Sequence, residues 1–195
     1  MKKLAHLMPV LLLAACAPAE QNAAPAPAPT SAAPAPVADF SLFNTTATIR
    51  DVMNSLIDPS ADELWNAVRF EVDEEGEHDY RPETDEEWAA LRYEAVSIIE
   101  GANALMIPGR RVAPPGSTTE FPDYEYLPDE VQAKLDEDRV AWDGFAQGLQ
   151  ASALQILDAI EKRDVDAYIE YGAQLDAACE ACHSQYWYRP EFAEP

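Results

Sequence analysis

The sequence predicts an all-α protein, an antiparallel four-helix bundle, and two patterns support this. Apolar residues recur at helical spacing in four main segments between residues 39 and 195, as expected for helices that bury one face. No segment shows the alternation of apolar and polar residues that is typical of a half-buried strand. Helices with one apolar face each pack most simply against one another as an antiparallel bundle.

The first predicted helix follows Phe43, with Asn44, Thr45 or Thr46 as its N-cap. Its apolar face consists of Ile49, Val52, Met53, Leu56 and Ile57. Pro59 is expected to interrupt this helix, because proline lacks the backbone donor and clashes with the preceding turn. The segment 60–63 then has a capping-box signature, which predicts that a short second helical segment begins there.

An acidic stretch follows, and residues 71 to 83 are predicted to form an exposed loop. Thr84 and Glu87 form a second capping box, which opens a helix that Pro108 and Gly109 end. The apolar face of that helix consists of Trp88, Leu91, Ala95, Ile98, Ile99, Ala102 and Leu105. Residues 109 to 127 are rich in Pro, Gly, Ser and Thr and are predicted to form a long connection.

Two more helices complete the predicted bundle. One begins at Pro128 and continues for about eight turns, to Ile160. Asp164 is predicted to cap the other. The inner face of this last helix consists of Tyr168, Gly172, Leu175, Cys179, Cys182 and His183.

The N-terminal part is predicted to be a lipoprotein leader followed by a spacer. Residues 1 to 16 contain two lysines, an apolar stretch too short to span a bilayer, and the sequence LAAC, which resembles the lipobox of bacterial lipoproteins. This resemblance implies that Cys16 carries the lipid, that the mature protein faces the periplasm and, from Ala17, that the outer membrane holds it. An ordinary cleaved signal peptide is the alternative. Residues 17 to 38 are Ala/Pro-rich and predict a semi-rigid linker.

The charge of the chain restricts its partners. With 36 acidic and 13 basic residues, the formal net charge is −23. Such a protein is a poor partner for nucleic acid, and an anionic membrane surface would repel it. An acidic surface suits brief docking to a redox partner with a basic surface, although it is equally typical of a well-solvated periplasmic protein.

The C-terminal motif carries the chemistry. Cys179, Cys182 and His183 form the pattern Cys-x-x-Cys-His, the covalent attachment site of a c-type haem. The chain has three cysteines, so one for lipid and two for haem leave none for a disulfide. A zinc site would need further ligands, and a redox dithiol would need a βαβ context that this sequence lacks. The motif therefore predicts one haem c per chain, on the C-terminal helix, with His183 as the proximal iron ligand.

With this motif near the end of a fourth helix, the chain resembles the class II cytochromes c, which comprise cytochrome c′ and its low-spin relatives of the cytochrome c556 type. The resemblance covers about residues 41 to 189. It implies that the first helix supplies the residue on the other side of the iron, and Met53 lies at the corresponding place. It also implies a homodimer as one oligomeric state. A basic residue frequent four positions after the proximal histidine in cytochromes c′ is replaced here by Trp187.

The distal ligand decides between two functions. Met53 is the predicted ligand, and Met106 and His78 are the alternatives. His/Met ligation predicts a low-spin electron carrier, whereas an open distal position predicts a high-spin protein that binds NO or CO. A haem-free structural lipoprotein is a third interpretation, which the Cys-x-x-Cys-His motif opposes. No constellation of catalytic residues is evident, so we predict an electron carrier rather than an enzyme.

Overall fold

The computed structural model describes residues 42 to 191, and over this range the fold is mostly helical and compatible with a helical bundle. The first helical stretch consists of α1 (Ile49–Val52), a π-helical segment (Met53–Ile57) and α2 (Asp58–Ala67). Its N-cap is Thr48, which exchanges capping-box hydrogen bonds with Asp51. The predicted caps at residues 44 to 46 were therefore wrong by two to four positions.

The helix does not end at Pro59, contrary to the prediction. The π-helical segment ends two residues before this proline, and the Asp58 N–H donates to the Met53 carbonyl, five residues back. A wider turn at this point accommodates a residue that cannot donate to the helical ladder. Nor does Ser60 begin a new helix, because it lies inside α2, which begins at Asp58. Its hydroxyl does not cap a helix but donates to Glu94 Oε2 at 2.8 Å.

The acidic loop predicted over residues 71 to 83 was wrong for most of its length. The chain forms an antiparallel hairpin of β1 (Arg69–Asp73) and β2 (Gly76–Tyr80), with Arg69 opposite Tyr80. Gly76 takes a φ of 133° at the turn, and Asp73 Oδ1 accepts from its backbone N–H. The acidic residues on both strands obscured the short alternation of Phe70 and Val72, both of which are exposed.

Helix α3 (Asp85–Leu105) begins as predicted, with Thr84 and Glu87 forming the capping box. The connection from α3 to the next helix is also without helix or strand, as predicted. Arg110 anchors it, because the buried guanidinium donates to the carbonyls of Ala104 and Ala47. The connection is thereby fixed to the start of the first helical stretch.

The predicted helix from Pro128 to Ile160 is two helices, α4 (Pro128–Glu137) and α5 (Arg139–Lys162). Asp138 leaves the helical conformation between them, and its carboxylate accepts from the Ala141 N–H as an N-cap. The last helix is α6 (Val165–Tyr186), and Asp164 caps it as predicted. No helix within residues 42–191 is long and apolar enough to cross a membrane.

The core centres on α3 and α5. The most extensive helix contacts are α3 with α5 and α5 with α6, followed by α2 with α3. On its other side, α6 meets α2 through two polar contacts. The Tyr168 hydroxyl donates to the Leu64 carbonyl at 2.6 Å, and Trp65 Nε1–H donates to the Gly172 carbonyl at 3.2 Å. Both contacts lie in the N-terminal half of α6, and the motif lies in its C-terminal half.

Candidate functional site

The C-terminal half of α6 presents the motif on one face. Cys179, Cys182 and His183 are three and four positions apart, so their side chains project from the same side of the helix. All three line an internal cavity of about 30 Å³. Its other walls are apolar and come from the π-helical segment, α3, α5 and α6 itself: Met53, Leu105, Trp142, Phe145, Ala146, Leu149 and Ala178. The structure therefore brings the motif into an apolar environment.

Met53 lines the same cavity. It is the first residue of the π-helical segment, and it is partly buried against the core. The two alternative ligands do not line this cavity. Met106 is the C-cap of α3, and His78 lies on the hairpin with its Nε2 2.9 Å from Asp73 Oδ1. Of the three candidates, Met53 alone shares the cavity with the motif.

Both thiols of the motif are reduced and protonated at neutral pH. Burial is the main cause that raises the pKa of Cys179 to about 11 and that of Cys182 to about 12. For Cys179 the neighbouring carboxylates of Asp176 and Glu180 add to this rise. A catalytic dithiol has the opposite property, a lowered thiol pKa and an exposed thiolate. These cysteines therefore do not have the electrostatics of a redox-active pair.

The imidazole of His183 is held in its neutral form. Burial lowers its pKa, and this outweighs the opposing effect of the Glu180 carboxylate. His183 Nδ1 lies 3.8 Å from Glu180 Oε1, which is longer than a hydrogen bond. Neutral imidazole is the form that ligates a metal through a ring nitrogen.

The end of α6 is fixed by a short pairing of two segments, residues 124–126 and 187–189, which we call the C-terminal clasp. The Tyr126 N–H donates to the Trp187 carbonyl at 2.7 Å, and the Arg189 N–H donates to the Tyr124 carbonyl at 2.9 Å. The Trp187 and Tyr188 rings are stacked, with centroids 5.4 Å apart. Tyr186 is buried edge-on to Trp142, which places it in the core.

A second, larger cavity of about 300 Å³ lies further toward the N-terminus of α6. It is open on one side, between α6 and α2, and α5 contributes a single residue. Its walls are Leu64, Trp65, Val68, Ile156, Tyr168, Ile169, Gly172, Ala173 and Asp176. Asp176 is only three positions before Cys179, so both cavities border the same helix.

The donor set fits a c-type haem. Two thiols, a neutral imidazole and a thioether are the groups that attach and ligate such a haem, and their surroundings are apolar. The 30 Å³ cavity has room for about one water molecule, whereas ligand sites occupy about 300 Å³ or more. Binding a macrocycle would therefore require α6 to move away from its neighbours.

Within residues 42–191 there is no cluster of three or more His, Cys, Asp or Glu side chains that would hold a bare metal ion.

Comparison with known proteins gave no match to a family model, a curated protein or a solved structure. The assignment of a function therefore depends on this chain's own residues. Cys16, the predicted lipid attachment site, lies outside the described residues.

Sequence reasoning missed the clasp and most of the cavity walls. Trp142, Phe145 and Leu105 lie on helix faces that were predicted to be apolar, but periodicity does not show which neighbouring helix they meet. The pairing of residues 124–126 with residues 187–189 joins segments more than fifty positions apart, and no local signal predicts it.

Proposed function

We propose that this protein is a c-type cytochrome that transfers single electrons through one covalently bound haem. Cys179 and Cys182 attach the haem, His183 is the proximal iron ligand, and Met53 is the distal ligand. The scaffold is an antiparallel four-helix bundle with the haem on its last helix. One observation supports this most strongly: all four side chains, from two separate helical stretches, line a single apolar cavity.

The residues around the cavity suit an electron carrier. When bound, the haem iron supplies a one-electron couple, and His/Met ligation raises its reduction potential. The apolar walls exclude water, which favours the less charged, reduced form. Thioether ligation by Met53 would occupy the position that a gas would otherwise take. Binding of NO or CO is therefore the alternative function, which applies if Met53 does not ligate.

The proposed setting is a lipid-anchored protein that faces the periplasm, with the anchor at Cys16 and the Ala/Pro-rich linker 17–38 between the anchor and the domain. Its acidic composition suits a redox partner with a basic docking surface. Docking of this kind is accelerated by long-range attraction and weakens as salt screens it.

The direct test is production of the full chain in a bacterial periplasm that attaches c-type haem. We expect haem that survives denaturing electrophoresis and a low-spin visible spectrum in both redox states. The matched control is the double variant Cys179→Ser with Cys182→Ser, which keeps small polar side chains but has no thiol. It should retain no haem after denaturation. A wild-type chain without covalent haem would show that the proposed function is wrong.

A further inference from the structure

We infer that Trp187 is a positioning residue for His183, which fixes the plane of the imidazole and shields one side of it from water. This inference rests on the proposed function, since the orientation of the ring matters for redox chemistry only if His183 ligates haem iron.

The contact between the two rings is close and edge-on. The centroids of His183 and Trp187 are 4.7 Å apart with an interplanar angle of 87°. Tyr188, stacked on Trp187, stands edge-on to the same imidazole at 6.1 Å and 76°. Two flat rings thus form a wall, and rotation of the imidazole about its Cβ–Cγ bond would drive its edge into that wall. Edge-to-face contacts at these distances are favourable in themselves.

The wall is held by backbone hydrogen bonds on both sides. The His183 carbonyl accepts from the Trp187 N–H at 2.7 Å and from the Tyr188 N–H at 3.0 Å. The Trp187 carbonyl in turn accepts from Tyr126 in the C-terminal clasp. Because its N–H and carbonyl are both bonded, the backbone of Trp187 is fixed beside His183, and stacking on Tyr188 holds the indole ring.

Helix α4 fastens the clasp. Lys134 Nζ lies 4.3 Å from the centre of the Tyr126 ring and donates to the Gln185 carbonyl at 3.3 Å. Arg189 bonds to Glu130 Oε2 at 3.1 Å. These contacts connect α4 to residues on both sides of Trp187 in the sequence, so the fold sets the position of Trp187.

The indole of Trp187 orients the imidazole of His183, a role that a hydrogen-bond acceptor usually has. Metal-ligating histidines generally donate their second ring N–H to a carboxylate, carbonyl or water, which fixes the ring orientation. Here the adjacent carboxylate, Glu180, is 3.8 Å from Nδ1, too far for a hydrogen bond. Packing against Trp187 and Tyr188 is therefore the contact that orients the imidazole.

Loss of the Trp187 ring should change both the magnetic resonance signals and the reduction potential of the haem. Truncation of Trp187 to Ala would let the imidazole adopt several orientations, so the electron paramagnetic resonance signals of the ferric haem should broaden. It would also admit water to the ring, which stabilises the more charged ferric form. We expect the reduction equilibrium constant to fall by about tenfold, equivalent to about 59 mV for a one-electron couple.

The experiment uses the full-length, haem-loaded chain and compares Trp187→Ala and Trp187→Phe with wild type. Phe keeps a flat ring edge against the imidazole, so it should restore narrow resonance signals and a potential close to wild type. Tyr93→Ala is the matched control, because it removes an exposed aromatic side chain from the outer face of α3 and should change neither readout. Circular dichroism melting checks that each variant folds.

The outcomes separate the inference from the proposed function. A wild-type chain without covalent haem overturns the proposed function, and this inference with it. If wild type carries haem but Trp187→Ala has unchanged signals and potential, the positioning role is wrong and the electron-carrier proposal stands. Should Trp187→Ala fail to fold, Trp187→Leu replaces it, since leucine keeps apolar volume without a ring edge. Wild-type signals in that variant would equally refute the role.

Discussion

The two sides of α5 are packed in different ways. Toward α3, α5 packs as part of the core: Ala95 and Ile98 of α3 and Ala153 of α5 are completely buried. The Trp142 indole N–H also donates to the Leu105 carbonyl of α3 at 3.1 Å. Toward the motif of α6, α5 presents large rings at a cavity, and Cys179 and Cys182 remain only partly buried. The α3–α5 interface is a close-packed core, whereas the side of α5 that faces the motif leaves a cavity of about 30 Å³ between apolar walls. The less closely packed side of α5 is therefore the one that faces Cys179, Cys182 and His183.

The largest effect on stability is expected from Ile98→Ala, in the close-packed core at α3 and α5. Ile98 is fully buried, so truncation should leave a cavity and lower the free energy of unfolding by about 2–5 kcal/mol. Ile169→Ala, on the rim of the 300 Å³ cavity and 53 % exposed, should cost about 0.5 kcal/mol or less. Urea titration of both variants measures the difference, and equal losses would show that Ile98 is not part of a close-packed core.

A smaller loss is expected where α3 approaches the π-helical segment. A Cβ added at Gly101 would lie 2.6 Å from Ile57 Cγ1, and Ile57 is among the most deeply buried side chains. Gly101→Ala should therefore lower the free energy of unfolding by about 1–3 kcal/mol through overpacking.

Gly148 of α5 is the matched control, because a Cβ there meets nothing within 4 Å. Gly148→Ala should stabilise the helix by about 0.5–1 kcal/mol, since alanine loses less backbone entropy than glycine. Thermal melting compares the two variants, and a gain in stability from Gly101→Ala would contradict the close approach of α3 to the first helical stretch.

Met53→Leu tests the cavity beside the motif with a change that costs little stability. Leucine has similar volume, so the haem-free chain should lose less than about 1.5 kcal/mol. In the haem-loaded chain the thioether is gone, and we expect the visible spectrum to change from low-spin to high-spin and to respond to carbon monoxide. Met106→Leu, at the C-cap of α3, should leave the spectrum unchanged. An unaltered spectrum in Met53→Leu would remove Met53 from the site.

The smallest effect is expected at the start of α3. The backbone N–H groups of Glu83 and Thr84 bond to the Glu87 carboxylate and hold its pKa below the ordinary value. Because the pKa is lowered by folding, the stabilisation is complete above the ordinary glutamate pKa of about 4.3 and is lost as the pH falls through the lowered value. Glu87→Gln should therefore flatten the stability profile in acid. Denaturant titrations between pH 2 and 6 measure this, and parallel profiles would refute it.

The sequence predicted the features that depend on contacts between residues close in the chain, and missed most of those that depend on tertiary packing. Caps at Thr84 and Asp164 were predicted correctly, because a cap is a contact over three residues. The hairpin was missed because each strand carries two acidic residues and the apolar alternation is very short. The break at Asp138 was missed because its flanking helices continue one apolar rhythm. The motif could be placed on a helix face from spacing alone. Which side chains face it, including the walls from α5 and the clasp, depends on tertiary packing.

The π-helical segment has a consequence for how this chain can vary. A π-turn holds about one more residue than the α-turn it replaces, and the extra residue is taken up within that turn. In an uninterrupted α-helix, Val52 and Leu64 would point about 120° apart, because each residue turns the helix by about 100°. With one residue taken up by the π-turn, the difference falls to about 20°, and both residues are buried in the core. Deleting one residue between Met53 and Pro59 would therefore give a regular helix with both residues still on the core, whereas inserting one would turn one of them away. This segment can shorten by one residue but cannot lengthen.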